Sequence, residues 1–220
     1  MKTGSTTSHT ADWLIPAGLL ALAFIPIVAG GVRLTVLTGG PLITPENARF
    51  VTSPIPVIVH IVSVTIYALL GAFQFSPGFR RRWPAWHRRA GRSLVGAGLA
   101  AALSGLWMAN FYAIVPADSL LLHVFRLLFG TAMAISIILG FAAIRQRNVR
   151  SHQNWMRRAY AIGLGAGTQA LIQIPALIIF GKPNADTLAL LMGAAWFLNL
   201  AVAEWLIRRQ HRPAGGTTPA

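Results

Sequence analysis

Six long runs of apolar residues constrain this chain more than any other feature. They lie at about residues 13–36, 55–75, 91–115, 119–144, 155–180 and 187–207. Each is about 20 residues or longer, enough at roughly 1.5 Å per residue to cross a hydrocarbon core of roughly 30 Å. A segment in lipid must satisfy its own backbone hydrogen bonds, so each run is expected to be a helix. Composition agrees: only 11% of the 220 residues are charged, against about 25% in a soluble domain. The fold class that follows is an all-α integral membrane bundle of six transmembrane helices. Residues 1–12 and 208–220, polar or rich in Gly and Pro, read as disordered tails, the second of them basic.

The formal net charge of +14 would point to nucleic acid in a soluble protein. Here its distribution reports topology instead, and no nucleic-acid partner is expected. Fifteen of the nineteen Lys and Arg fall on one side of the six runs: Lys2, the group Arg80 to Arg92, the group Arg145 to Arg158, and Arg208, Arg209 and Arg212. Arg33, Arg49 and Lys182 fall on the other, and Arg126 lies within a run. The positive-inside rule then places both termini in the cytoplasm, in a bacterial inner membrane. Ala29-Gly30-Gly31 would suit a signal-peptide cleavage site, but the first run is long and reads as an uncleaved anchor. The absence of cysteine excludes disulfides, thiolate metal sites and cysteine nucleophiles.

Helix starts and packing faces are also legible. Pro84 suits the first position of a helix, with His87 in its first turn. Ser151 is a candidate N-cap with His152 following it. Gly163 with Gly167, and Gly98 with Ala102, are small pairs at four-residue spacing that permit close helix packing. Glu204 and Arg208 have the spacing of an ion pair within one helix. Asn199 reads as a packing residue, and Gln169 with Gln173 as an inward polar face. The loop around residues 39–54, with Glu46 and Arg49, is expected to cap the outer side.

The residues that suggest chemistry are four histidines, His60, His87, His123 and His152, one near the start of each of four successive runs. Alternating helix directions sort them into an outer pair, His60 with His123, and an inner pair, His87 with His152. Neutral imidazole is an axial ligand for haem iron, and haem b needs no covalent attachment motif. His60 and His123 each lie about five residues past a predicted start, so they are expected at similar depth, on the order of 7 Å below the outer interface. His60, Ser63, Tyr67 and Gln74 share one helix face, and a polar stripe in lipid must face the bundle interior. Arg126, Arg88 and Arg157 are candidate partners for haem propionates. One or two haems b in these pairs would make the protein a transmembrane electron carrier, with no redox partner named by any residue. The alternative is a small-molecule transporter, or a protein that meets anionic lipid headgroups through its inner arginines, without a redox cofactor. No catalytic constellation is assigned.

Several local motifs carry a resemblance. GAFQF at 71–75, HRRAGR at 87–92 and HQNWMRRAY at 152–160, with GAGTQ at 165–169 and NLAVAEW at 199–205, resemble a bacterial family of predicted membrane proteins catalogued as domain of unknown function 2306. That resemblance implies a membrane fold and no activity. In pattern alone, the four histidines are also similar to those of transmembrane di-haem b cytochromes. That likeness implies pairing of the first with the third and the second with the fourth.

Overall fold

The computed structural model describes residues 7–40, 42–115 and 118–210, with side chains from residue 13 onward. All regular structure among them is helical: α1 (Thr7–Thr38), α2 (Ala48–Thr52), α3 (Pro54–Gln74), α4 (Pro77–Arg82), α5 (Pro84–Phe111), α6 (Leu120–Arg145), α7 (Val149–Gly163), α8 (Gly165–Phe180) and α9 (Ala185–Arg209). Six spans are long and apolar enough to cross a membrane, with α7 and α8 forming one of them. The protein is therefore a multi-pass membrane bundle.

Local sequence explains where these helices begin. Pro54, Pro77 and Pro84 stand in the first turns of α3, α4 and α5, where a missing N–H donor costs nothing. Ser119, Asn148 and Asn184 cap α6, α7 and α9 by accepting from the backbone N–H three residues on. Asn148 takes the place expected of Ser151, whose own N–H is the donor. The amide side chain reaches that N–H, so α7 starts earlier and His152 is the fourth residue of the helix, not its first. Helix takes in part of each stretch expected to be disordered. α1 begins at Thr7, and Arg208 and Arg209 belong to α9; residues 1–6 and 211–220 lie outside the described residues.

Four elements form a ring in which each packs on the next: α3 on α5, α5 on α6, α6 on α7, and α7 back on α3. α1 covers α3 and α8, while α9 covers α6, α7 and α8. Small residues set these distances. A Cβ at Gly98 would strike both Tyr67 of α3 and Ile137 of α6 at 2.7 Å. A Cβ at Gly167 would collide with the Leu22 carbonyl of α1. The core centres on Tyr67, Ala101, Phe129, Met133, Ile137 and Tyr160. Large apolar side chains such as Phe24, Leu103, Phe180 and Phe197 point outward, as lipid requires and water would not tolerate.

The same contacts fix relative depth. Gly105 faces the His60 ring, and the next residue of α5, Leu106, faces Gly130 of α6. His60 and Gly130 are therefore level. His123 precedes Gly130 by seven residues, so it stands about 10 Å nearer the end where α6 begins. The expected match in depth is not found. Counting from helix starts assumed that α3 and α6 begin on one plane, whereas α6 extends past α3 at that end.

Candidate functional site

The polar stripe of α3 does face the interior. At His60, Nδ1 lies 2.9 Å from the Ala101 carbonyl and 3.2 Å from Ser104 Oγ. A carbonyl only accepts, so Nδ1 carries the proton and Nε2 is left with its lone pair. The ring lines a cavity of about 460 Å3 between α3 and α6, to which α1, α5, α7, α8 and α9 also contribute walls. Its walls are mostly apolar, with Ala102, Phe129, Met133 and Trp196 among them. Polar groups converge toward one end, where Arg49, Tyr112 and Arg126 also line it.

At that end an acidic residue joins two arginines. Asp118 accepts from Arg49 Nη1 at 2.5 Å and from Arg126 Nη1 at 2.8 Å. Burial alone would raise the Asp118 carboxyl. The hydrogen bonds and charges of Arg49 and Arg126 outweigh it and hold the group below the usual carboxylate range. Arg49 also donates to the Ala113 carbonyl and lies over the Phe50 ring, while Tyr112 donates to the Ser53 carbonyl. Burial pushes the Tyr112 phenol up. Two arginines against one carboxylate leave this end with a net positive charge. Arg126 thus lies at the cavity, as a propionate partner would, but already has a counter-ion. Sequence reasoning passed over Arg49 and Asp118 as site residues. The signal was present: a lone arginine within a span needs a carboxylate, and the chain has five acidic residues in all.

Below the cavity the bundle closes on two tyrosines. Tyr67 and Tyr160 have ring centroids 5.6 Å apart, and Tyr160 donates to the Ala68 carbonyl. Gly71 and Gly163 make room for these rings. Beyond them lies the arginine-rich end. Gln74 of α3 rests against Gly91 of α5, and His87 lies within charge range of His152, Arg80 and Arg88. Nδ1 of His152 sits 2.9 Å from the Gly140 carbonyl. His87 Nδ1 and Gln74 Nε2 are buried with no hydrogen-bond partner among the described residues. Arg157 donates to Gln210, and Arg88 is exposed. Glu204 is held by Arg158 of α7 through two hydrogen bonds, not by Arg208 as the i,i+4 spacing suggests. Asn199 accepts from Thr168 and donates to the Ala161 carbonyl, tying α9 to α7 and α8 as a packing residue would. Gln169 bonds the Met192 carbonyl.

A family model described as predicted membrane protein (DUF2306) matches residues 57–207. The chain belongs to the DUF2306 family. The matched segment runs from α3 into α9, so it takes in the cavity wall at His60, Asp118 with Arg126, and the whole arginine-rich end. The three motifs GAFQF, HRRAGR and HQNWMRRAY meet at that end, through Gln74, His87 and His152. No curated protein and no solved structure matches the chain.

Haem sets a geometric requirement on the histidines. Two axial imidazoles must face each other across one iron, and His60 and His123 differ in depth by about 10 Å. Nor does His123 line the cavity. The outer pair therefore does not fit one bis-histidine haem. His60 taken singly does suit axial ligation: its Nδ1–H is tied to a carbonyl, as in most metal-binding histidines, and Nε2 is free.

Proposed function

We propose that this DUF2306 protein is a small-molecule-binding membrane protein of carrier or transporter type, with its ligand in the cavity beside His60. The cavity itself carries the reading. At about 460 Å3 it falls within the roughly 300–1,000 Å3 of small-molecule sites, and it has the usual apolar walls with a few convergent polar groups. The chemistry of those groups specifies the ligand class. Nε2 of His60 accepts a hydrogen bond, so the ligand offers a hydroxyl or N–H there. The net positive Arg49–Asp118–Arg126 group favours an anion at the other end. An apolar body with a donor on one side and an acidic group on the other satisfies both. In this reading the arginine-rich end faces the cytoplasm and the cavity end faces outward.

The test is a titration of the purified protein with 6-hydroxy-2-naphthoate, which carries a hydroxyl and a carboxylate on opposite ends of a flat apolar body. Saturable binding is expected. It should weaken about tenfold for 2-naphthoate or for His60→Ala, the worth of one hydrogen bond of about 1.4 kcal/mol. Absent binding, or binding indifferent to His60, refutes the proposal.

A second reading rests on the His60 tautomer. A single haem b would be held by His60 Nε2, with Arg49 and Arg126 near its propionates, and would supply one-electron chemistry when bound. Level with His60 on α6 stands Gly130, and among the described residues no other histidine lines the cavity. Absorbance of protein expressed with ample haem, oxidised and then dithionite-reduced, separates the readings. Soret and α bands lost in His60→Ala support haem, and their absence leaves the organic ligand.

A further inference from the structure

We propose that the arginine-rich end of the bundle holds a second binding site, for a phosphate-class oxyanion, formed by Gln74, Arg80, His87 and Arg157. Charge that lacks a counter-charge is the first ground. Arg80 lies within range of both His87 and Arg157, and its guanidinium donates to no acceptor among the described residues. Arg157 has a neutral partner in Gln210. The titratable groups gathered here are cations and imidazoles, from α4 (Arg80), α5 (His87, Arg88) and α7 (His152, Arg157). Of the carboxylates whose side chains are described, Glu204 alone stands at this end, and Arg158 takes both its oxygens. Like charges gathered at the edge of an apolar bundle repel strongly unless an anion sits among them.

Unspent hydrogen-bonding capacity is the second ground. Gln74 Nε2 and His87 Nδ1 are buried without partners among the described residues, a costly arrangement unless something accepts from them. A water molecule would satisfy these atoms but would leave the arginines unneutralised. A tetrahedral oxyanion does both, because its oxygens suit planar guanidinium forks and simple N–H donors alike. The fold also holds the set in place. Ser76 caps α4 and so positions Arg80, and Gly91 leaves room for the Gln74 amide. This chemistry belongs equally to a phosphomonoester lipid headgroup and to a soluble phosphate.

Thermal unfolding of the purified full chain in detergent, with inorganic phosphate against chloride at equal ionic strength, tests the site. Phosphate should raise Tm saturably at millimolar concentration. Arg157→Gln should weaken half-saturation about tenfold, and the exposed Arg81→Gln should leave it unchanged. Gln74→Leu, which alters no charge, should also weaken it several-fold and stands in if Arg157→Gln does not fold. In nanodiscs, a rise with phosphatidic acid over phosphatidylcholine that free phosphate no longer adds to identifies the headgroup as occupant. An undiminished phosphate effect in both lipids identifies the soluble ion. Equal rises with phosphate and chloride, or half-saturation indifferent to the cluster variants, overturn the proposal.

Discussion

Replacing Asp118 by Asn removes one charge from the centre of the Arg49–Asp118–Arg126 cluster while keeping the shape of the side chain. The carboxylate accepts from Arg49 at 2.5 Å and Arg126 at 2.8 Å, and its side chain is 12% exposed. Hydrogen bonds to charged groups contribute about 1.5–3 kcal/mol, against about 1 kcal/mol for neutral ones. The substitution therefore costs roughly 1–2 kcal/mol at the better-buried Arg49. At Arg126, whose side chain is 34% exposed, solvent screening cuts the loss to roughly half of that. A total near 2 kcal/mol lowers Tm by about 4–8 °C for a chain of this size. Differential scanning fluorimetry of both proteins reads it directly. The sign of the pH dependence follows from the lowered carboxyl. Its stabilisation is complete above the unfolded-state value of about 3.9 and disappears as pH falls through the lower folded-state value. The gap between wild type and Asp118→Asn should thus be constant near neutrality and close in acid. A variant within 1 °C of wild type at pH 7, or a gap that widens in acid, would refute the reasoning.

Three further outcomes follow from the packing. Arg158→Gln should destabilise by about 1 kcal/mol, discounted for partial exposure, while Arg208→Gln should be nearly neutral; the reverse order in a melting assay would restore the pair within α9. Asn148→Ala should cost about 1 kcal/mol as a lost helix cap and Ser151→Ala only a few tenths, again by melting temperature. Gly167→Ala drives a methyl into the Leu22 backbone of α1 and should cost at least the roughly 1–3 kcal/mol of overpacking. Gly18→Ala, with nothing within 4 Å, should be tolerated; equal melting of these two variants would mean that α1 does not pack on α8 as described.

Run length alone makes the six spans legible, because a stretch of that length and polarity has no other stable use. Their limits are less so. The apolar windows open at 91 and 155, yet α5 and α7 begin at Pro84 and Val149. Their first turns, with His87 and His152, are too polar to register as apolar but are helical all the same. Periodicity correctly turned His60, Tyr67 and Gln74 inward, since spacing along one helix is a local property. Depth is not local: His60 and His123 belong to helices that start on different planes, and only contacts through α5 reveal it. Glu204 met Arg158, 46 residues away, over its neighbour in sequence for the same reason. Arg49 on the short α2 and Asp118 in the loop before α6 come together across the fold, where no spacing rule reaches.

The cavity beside His60 is the central claim, and the cysteine-free chain allows it to be probed without background. Thr65 lines the cavity one turn past His60 on α3. Thr65→Cys should react with a membrane-impermeant methanethiosulfonate reagent added outside intact cells, and 6-hydroxy-2-naphthoate should slow that reaction several-fold. A cysteine at Thr65 that reacts at the same rate with and without the naphthoate, or that no aqueous reagent reaches from either side, would contradict the account.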